Sequence, residues 1–424
     1  MFLLVLLGCF IVLLAIGLPI GIALGVTTAT VVTLMTNINV RIIAQNSVAG
    51  LDSFPLLALP FFVLAGNLMF FGGISRRLLD LADALVGKIT GGLGMVTTVA
   101  CMFFAAISGS GPATVSAIGT IIIPAMKEKK YDVNYAAAIT AAAGSIGVII
   151  PPSIPFVIYA VTTGVSIADL FMAGIIPGII MGISLMIANY FMAKKYGYKG
   201  RETTGTMKIG TFLESLWALA MPVIILGGIY GGIFTPTEAA VVGCVYSLFV
   251  GMAVYREIGL KELYEALKDT GLITGATVFT LAFSTSFATL ITMKQVPNMV
   301  GNYLLSVSNS PFVIMMIINV FLLMVGCFVD NISACIILSP ILLPIVTKMG
   351  FDPVHFGVIM TVNLAIGFCT PPYGINLFVA AAVADTTVAK IAKFIWSFLI
   401  AMLITLLLTT YIPALSMFLP EFFK

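Results

Sequence analysis

The chain has 424 residues, 60% of them hydrophobic and 9% charged, with a formal charge of +3 and a mean hydropathy of +1.16. A surface of that composition cannot be solvated by water, which excludes a soluble enzyme, and the small net charge provides no footprint for nucleic acid. The solvent it implies is lipid.

Apolar stretches that reach or exceed the roughly 20 residues needed to cross a bilayer core occupy 1–35, 92–126, 134–164, 172–192, 213–233, 236–254, 311–346, 354–384 and 394–419. The first, opening Met1-Phe2-Leu3-Leu4, has no preceding Lys or Arg, so it reads as a retained membrane segment rather than a secretion signal. Asp52 to Gly73 contains a short run, 54–73, whose length suits a re-entrant hairpin of two half-helices. The long run 92–126 is interrupted at its centre by Ser108-Gly109-Ser110-Gly111-Pro112-Ala113-Thr114. Two glycines and a proline there leave backbone groups that lipid cannot satisfy. The run 134–164 is broken by Pro151-Pro152-Ser153-Ile154-Pro155.

Basic residues gather in connectors, at Arg76, Arg77 and Lys88, at Lys127, Lys129 and Lys130, and at Lys194, Lys195, Lys199 and Arg201. Crossing counts do not place them all on one side, so the absolute orientation stays open. A second short run, 271–293, is also expected to be a hairpin, with surface-lying amphipathic helices beside both. Beyond it, 311–346 holds Gly326 and the polar pair Asp330-Asn331, and 354–384 is broken at Thr370-Pro371-Pro372-Tyr373-Gly374. The six cysteines lie singly in apolar runs and suggest neither disulfides nor zinc.

A constant shift of 220 residues carries Pro124 onto Pro344, Asp132 onto Asp352, Gly147 onto Gly367, and Pro151-Pro152 onto Pro371-Pro372. The chain is therefore a duplication, divided as 1–210 and 211–424. The first half has its breaks at 108–112 and 151–155, the second at 326–333 and 370–374. Five clear crossings separate Pro124 from Pro344; if 271–293 is a hairpin the halves are inverted, a recurring plan in secondary transporters.

Each proline lacks an N–H, so Pro151 and Pro152 free the carbonyls of Gly147 and Val148, and Pro371 and Pro372 those of Gly367 and Phe368. Such carbonyls beside hydroxyls suit a weakly held Na⁺, whereas proton coupling wants several intramembrane carboxylates or histidines. Only Asp330 and a lone His355 near a segment end offer that chemistry. The half-helix starting after each break favours an anionic group. The chain carries no P-loop, zinc-protease motif or nucleophile–base set. An ion-conducting channel, or a carrier working without a binding protein, is the alternative.

Taken together, Ser108 to Thr114, Pro151 to Pro155, Asp330-Asn331 and Thr370 to Gly374 resemble the large membrane subunit of tripartite ATP-independent periplasmic (TRAP) transporters, along nearly the whole chain. The resemblance implies an all-α polytopic protein of the bacterial inner membrane, with two inverted repeats, broken helices, two re-entrant hairpins and an elevator motion. It implies a separate small membrane subunit of about four helices and a periplasmic substrate-binding protein. It also implies sodium-coupled uptake of an organic acid, with sialic acid slightly favoured over C4-dicarboxylates. One sodium site is expected from Ser108, Ser110, Asn67, Gly144 and Gly147, and its mirror from Ser284, Ser286, Gly326, Gly367 and Thr370. Substrate contacts are expected from Ser110, Thr114, Ser153, Asp330, Asn331 and Asn376.

Overall fold

A computed structural model of the protein describes residues 2–36, 38–200, 209–308 and 310–423. Among these the chain is all-helical. The first half runs α1 (Phe2–Ala15), α2 (Ile20–Met35), α3 (Arg41–Ala49), α4 (Ala58–Phe71), α5 (Ile74–Val86), α6 (Gly92–Ser108), α7 (Gly111–Glu128), α8 (Val133–Gly144), α9 (Ile154–Thr163) and α10 (Ile167–Tyr196). The second runs α11 (Ile209–Tyr230), α12 (Pro236–Phe249), α13 (Leu260–Met293), α14 (Val296–Val307), α15 (Pro311–Gly326), α16 (Asn331–Lys348), α17 (Pro353–Gly367), α18 (Ile375–Val383), α19 (Val388–Tyr411) and α20 (Ala414–Phe422). Six helical stretches are long and apolar enough to span a membrane, among them α10, α13, α16 and α19. The expected division at 210/211 falls inside the start of α11, just after 201–208, which lie outside the described residues.

The 220-residue shift holds element by element. It places α7 on the bounds of α16, α8 within α17, and α9 within one residue of α18. The helices preserve local reasons for these matching bounds: Asp132 and Asp352 each cap the next helix, accepting from Asn134 N and from Val354 N and His355 N. Both proline pairs are joined by cis peptide bonds.

The hairpins are not where the sequence reading puts them. The run 54–73 is a 3₁₀ turn (Phe54–Leu57) leading directly into α4, and 271–293 is the second part of the 34-residue α13. Neither contains a residue that turns the chain back, so each continues as one helix. At 1.5 Å per residue α13 is about 51 Å long, enough to include the surface-lying segment and the span. The reversals lie instead within the long runs. Thr97 near the start of α6 reaches Met126 near the end of α7, with Oγ1 and Sδ 4.0 Å apart, so α6 and α7 run antiparallel about a tip at Gly109-Ser110. In the second half α15 runs alongside α17, Asn319 meeting Asn363 and Gly326 meeting Gly367. Because α16 returns against α17, with Ser339 beside Met360, α15 and α16 form the equivalent hairpin, its tip at 327–330.

The halves are inverted. Tyr159 Oη at the end of α9 donates to Pro353 O at the start of α17 (2.8 Å), and Thr386 just after α18 donates to Asn134 at the start of α8 (2.7 Å). Each broken helix therefore begins beside the other's end, which makes the two antiparallel. The parity argument reaches inversion through two compensating errors: 271–293 crosses, and 311–346, folded as the hairpin of α15 and α16, does not.

The broken helices form the centre. In α8 every residue from Tyr135 to Gly144 is buried, and in α17 every residue from Val354 to Gly367. In α8 alanine and glycine on all sides let neighbouring helices approach closely. By contrast α5 buries Ile74, Leu78, Leu79 and Ala82 and turns charges outward. From it Arg77 reaches Glu257 (2.8 Å) and lies 3.7 Å from the Tyr255 ring centre, joining α5 to the chain after α12.

Candidate functional site

The first tip is built by backbone conformation. Gly109 is left-handed (φ +63°) and Ser110 extended, a two-residue turn after which Pro112 starts α7. A side chain on Gly109 would strike Pro152 O, while Ile154 N donates to Gly109 O at 3.2 Å. Hairpin tip and helix break are thus tied through their main chains. Inside the turn, Ser108 Oγ and Thr114 Oγ1 are 2.9 Å apart and Thr114 donates to Ser110 O at 2.7 Å.

This arrangement collects most of the first expected sodium set. Gly147 packs on Thr114 Oγ1 and Ser110 O, Gly144 on Val115, and Gly66 on Ser108. Asn67 faces the same tip across a cleft of about 190 Å³ that Ser108, Ser110 and Ser116 also line, and its amide donates to Thr270 Oγ1 at 2.9 Å. The hydroxyl and carbonyl oxygens that the tip itself gathers fit a weakly held alkali cation, and among the described residues no three His, Cys, Asp or Glu side chains cluster as metal ligands.

The carbonyls freed by proline are largely re-engaged. Ser153 Oγ donates to Val148 O at 2.6 Å, Thr370 N to Gly367 O at 3.0 Å, and Asn376 N to Phe368 O at 3.0 Å. Each carbonyl keeps a second lone pair, so ligation would share these oxygens rather than take idle ones. Ser153 serves the 151–155 break as a helix cap.

At the second tip Asp330 is the N-cap of α16, Oδ2 accepting from Ser333 N at 3.0 Å. Asn331 is buried; its Oδ1 accepts from Cys335 and its Nδ2 has no partner. A buried donor left open suits an anion rather than a cation. Gly326 and Gly367 touch backbone to backbone, with Thr370 one turn further on, its hydroxyl donating to Ile366 O. Ser286 does not join them: its hydroxyl is engaged by Ile43 O and Ser47 on α3. The α13 helix passes the hairpin as a continuous span, so Ser286 faces α3 rather than the tip. Ser284 is buried on the same helix without a hydrogen-bond partner.

Asn376 belongs to the second break yet completes the first site. Its amide donates to Ser145 Oγ (3.0 Å) and Ala141 O (3.3 Å), and its Oδ1, unpartnered, faces Gly111. Ser145, Cys369 and Asp269 lie at the site without being among the residues expected from the sequence. Ser145 sits in the Gly144–Pro155 break, where its hydroxyl is legible; Asp269 precedes the 271–293 run by two residues, where a carboxylate reads as part of a surface flank.

Residues 7–415 match the family model of the DctM component of tripartite ATP-independent periplasmic transporters. An isethionate TRAP transporter permease, DctMQ of Oleidesulfovibrio alaskensis, is 46% identical over 98% of this chain, which spans 66% of that longer protein. The sialic acid TRAP large permease SiaM of Vibrio cholerae is 39% identical, with 96% of each chain covered. The C4-dicarboxylate TRAP large permease DctM of Rhodobacter capsulatus is 36% identical, covering 99% of this chain and 98% of that one. Among solved structures, the YdaH transporter of Alcanivorax borkumensis superimposes with a TM-score of 0.64 at 13% identity, over 93% of this chain and 96% of that one.

Proposed function

The chain belongs to the DctM component family of tripartite ATP-independent periplasmic transporters, a multi-pass inner-membrane protein, and from that membership we propose that it drives sodium-coupled uptake of a small organic acid handed over by a periplasmic binding protein. A small four-helix membrane subunit completes the assembly. The observation that carries this reading is the meeting of two helix starts and two helix breaks at the centre of inverted halves. Tip 1 rests on its own break through Gly109 and on the other half's through Gly111, which would meet Asn376 and Phe368. Such a junction offers neutral oxygens for sodium and first-turn N–H groups for an acid.

The hairpins and breaks move as one body against α4, α12 and the span of α13, in an elevator motion that carries the acid. Relatives bearing isethionate, C4-dicarboxylate and sialic acid in their names support an organic acid as the cargo. The test is reconstitution of the chain with its small subunit and binding protein in liposomes. Accumulation that requires an inward sodium gradient supports the carrier; passive ion current without accumulation sinks it.

A further inference from the structure

The cleft at tip 1 has two electrical poles. On the hairpin wall Ser110 caps the start of α7 without spending its side chain on the helix; Pro112 has no N–H and Thr114 N donates to Ser110 O, which leaves the N–H groups of Gly111 and Ala113 without an acceptor in the helix. On the opposite wall stands Asp269 of α13, among the described residues the only charged one lining the cleft. Its neighbour Lys268 is turned to Glu265 at 3.1 Å, and among the described residues no side chain is paired with the Asp269 carboxylate. The next residue, Thr270, holds Asn67, so Asp269 sits on a wall fixed to α4. Between the poles the lining mixes Val63, Phe104 and Ile154 with the polar Asn67, Ser108 and Ser116.

We propose that Asp269 is a specificity-determining residue of the substrate cleft: it selects small monoanions that carry a hydroxyl or ammonium donor at the far end, and rejects dicarboxylates. The inference rests on the reading of tip 1 as the place of the acid group. With the anion at the start of α7, the far end of a small substrate faces a carboxylate. A donor there gains a charge-assisted hydrogen bond, whereas a second carboxylate meets a like charge across the cleft. At about 190 Å³ the cleft is smaller than the ~300–1,000 Å³ of pockets that hold drug-sized ligands. A compact acid fits it better than a nine-carbon sugar acid.

The test is ligand binding to the purified membrane complex in sodium buffer, without the binding protein, so that the cleft alone is read. The probes are 2-hydroxyethanesulfonate, ethanesulfonate and succinate. Wild type should hold the hydroxylated sulfonate at least about tenfold more tightly than ethanesulfonate, the scale of one hydrogen bond to a charged group. In Asp269→Ala that ratio should fall below about twofold, because removing either partner removes the same bond. Asp269→Asn, nearly isosteric, should keep part of the hydroxyl preference and admit succinate. Thermal unfolding of both variants should match wild type. An unchanged ratio in Asp269→Ala, succinate bound by wild type as tightly as the hydroxysulfonate, or no binding of any probe overturns the inference. Sodium-driven accumulation of acid by the full assembly is measured separately, and its loss strikes the transport reading instead.

Discussion

Ser110 and Asp330 stand 220 residues apart at the N-caps of equivalent helices, and only Asp330 closes its helix with its side chain, at 3.0 Å from Ser333 N. The cap role and the charge role of Asp330 can be separated. Asp330→Ser keeps a capping oxygen and removes the charge; Asp330→Ala removes both, and loss of a cap typically costs about 0.5–2 kcal/mol. Asp330→Ala is expected to unfold earlier on heating and to lose uptake, while Asp330→Ser stays near wild-type stability with uptake reduced at least about tenfold. Wild-type uptake by Asp330→Ser in liposomes would leave the residue a cap alone.

Thr370 follows a carbonyl already shared with its own N–H, and its hydroxyl donates to Ile366 O at 2.9 Å, keeping lone pairs free. Thr370→Ala should raise the sodium concentration for half-maximal uptake by roughly tenfold, the worth of one good ligand, with little change in folding. Thr370→Ser should restore it. A sodium curve identical to the parent's in Thr370→Ala removes Thr370 from the ion site.

Glycines at the junction have no room for a methyl group. A Cβ on Gly147 would lie 2.7 Å from Ser110 O, and one on Gly367 would collide with the Gly326 backbone. Gly147→Ala and Gly367→Ala should each destabilise the protein by about 1–3 kcal/mol, read as a lowered Tm. Gly275→Ala in α13 meets nothing within 4 Å and should match or exceed wild type, since a helix gains up to ~1 kcal/mol from that exchange. Equal Tm values for all three would mean that the tips do not pack as described.

Tertiary contacts place the basic connectors at one end. Gly91 N donates to Tyr198 O and Tyr131 Oη to Lys199 O, bringing Lys88, Lys127, Lys129, Lys130, Lys194, Lys195 and Lys199 together. Thr386, bonded to Asn134, adds Lys390 and Lys393. Lys348 bonds Asn298 at the opposite end, beside Lys294. The positive-inside rule then makes the lysine-rich end cytoplasmic. A cysteine replacing Lys130, in a background without the native cysteines, should react with impermeant maleimide only in inside-out vesicles, and one replacing Asn298 only in intact spheroplasts. The reverse pattern would invert the assignment.

The halves contact the two tips unequally. Gly66 lies against Ser108, whereas the equivalent pair, Ser286 and Phe328, is separated: Ser286 is bonded to α3 and Phe328 is 65% exposed. If the central body alternates between two related positions, the other position brings Ser286 to Phe328. Cysteines at these two positions, in the same cysteine-free background, should cross-link under one transport condition and not the other, for example with and without sodium and substrate. Failure to cross-link in any condition, with the assembly still active, would exclude that second position.

Composition alone made this a membrane protein, because so few charges cannot solvate its surface, and the 220-residue offset made it a duplication, because paired prolines and capping aspartates mark the same turns twice. Polar residues inside apolar runs marked both breaks for the reason that lipid tolerates unsatisfied backbone nowhere else. Where the chain turns back was beyond that reading. A Gly-Ser interruption within 92–126 is compatible with a kinked span or with a hairpin, since the composition of both is the same. The left-handed Gly109 and the Thr97–Met126 contact decide it. The two short runs misled for the converse reason: length permits a hairpin, but α4 and α13 stay straight because no residue in them reverses the backbone. Asn376 shows the same division at the site. Sequence marks it as polar in an apolar run, but its place beside Ser145 and Ala141 of the other half exists only because the inverted halves interlock.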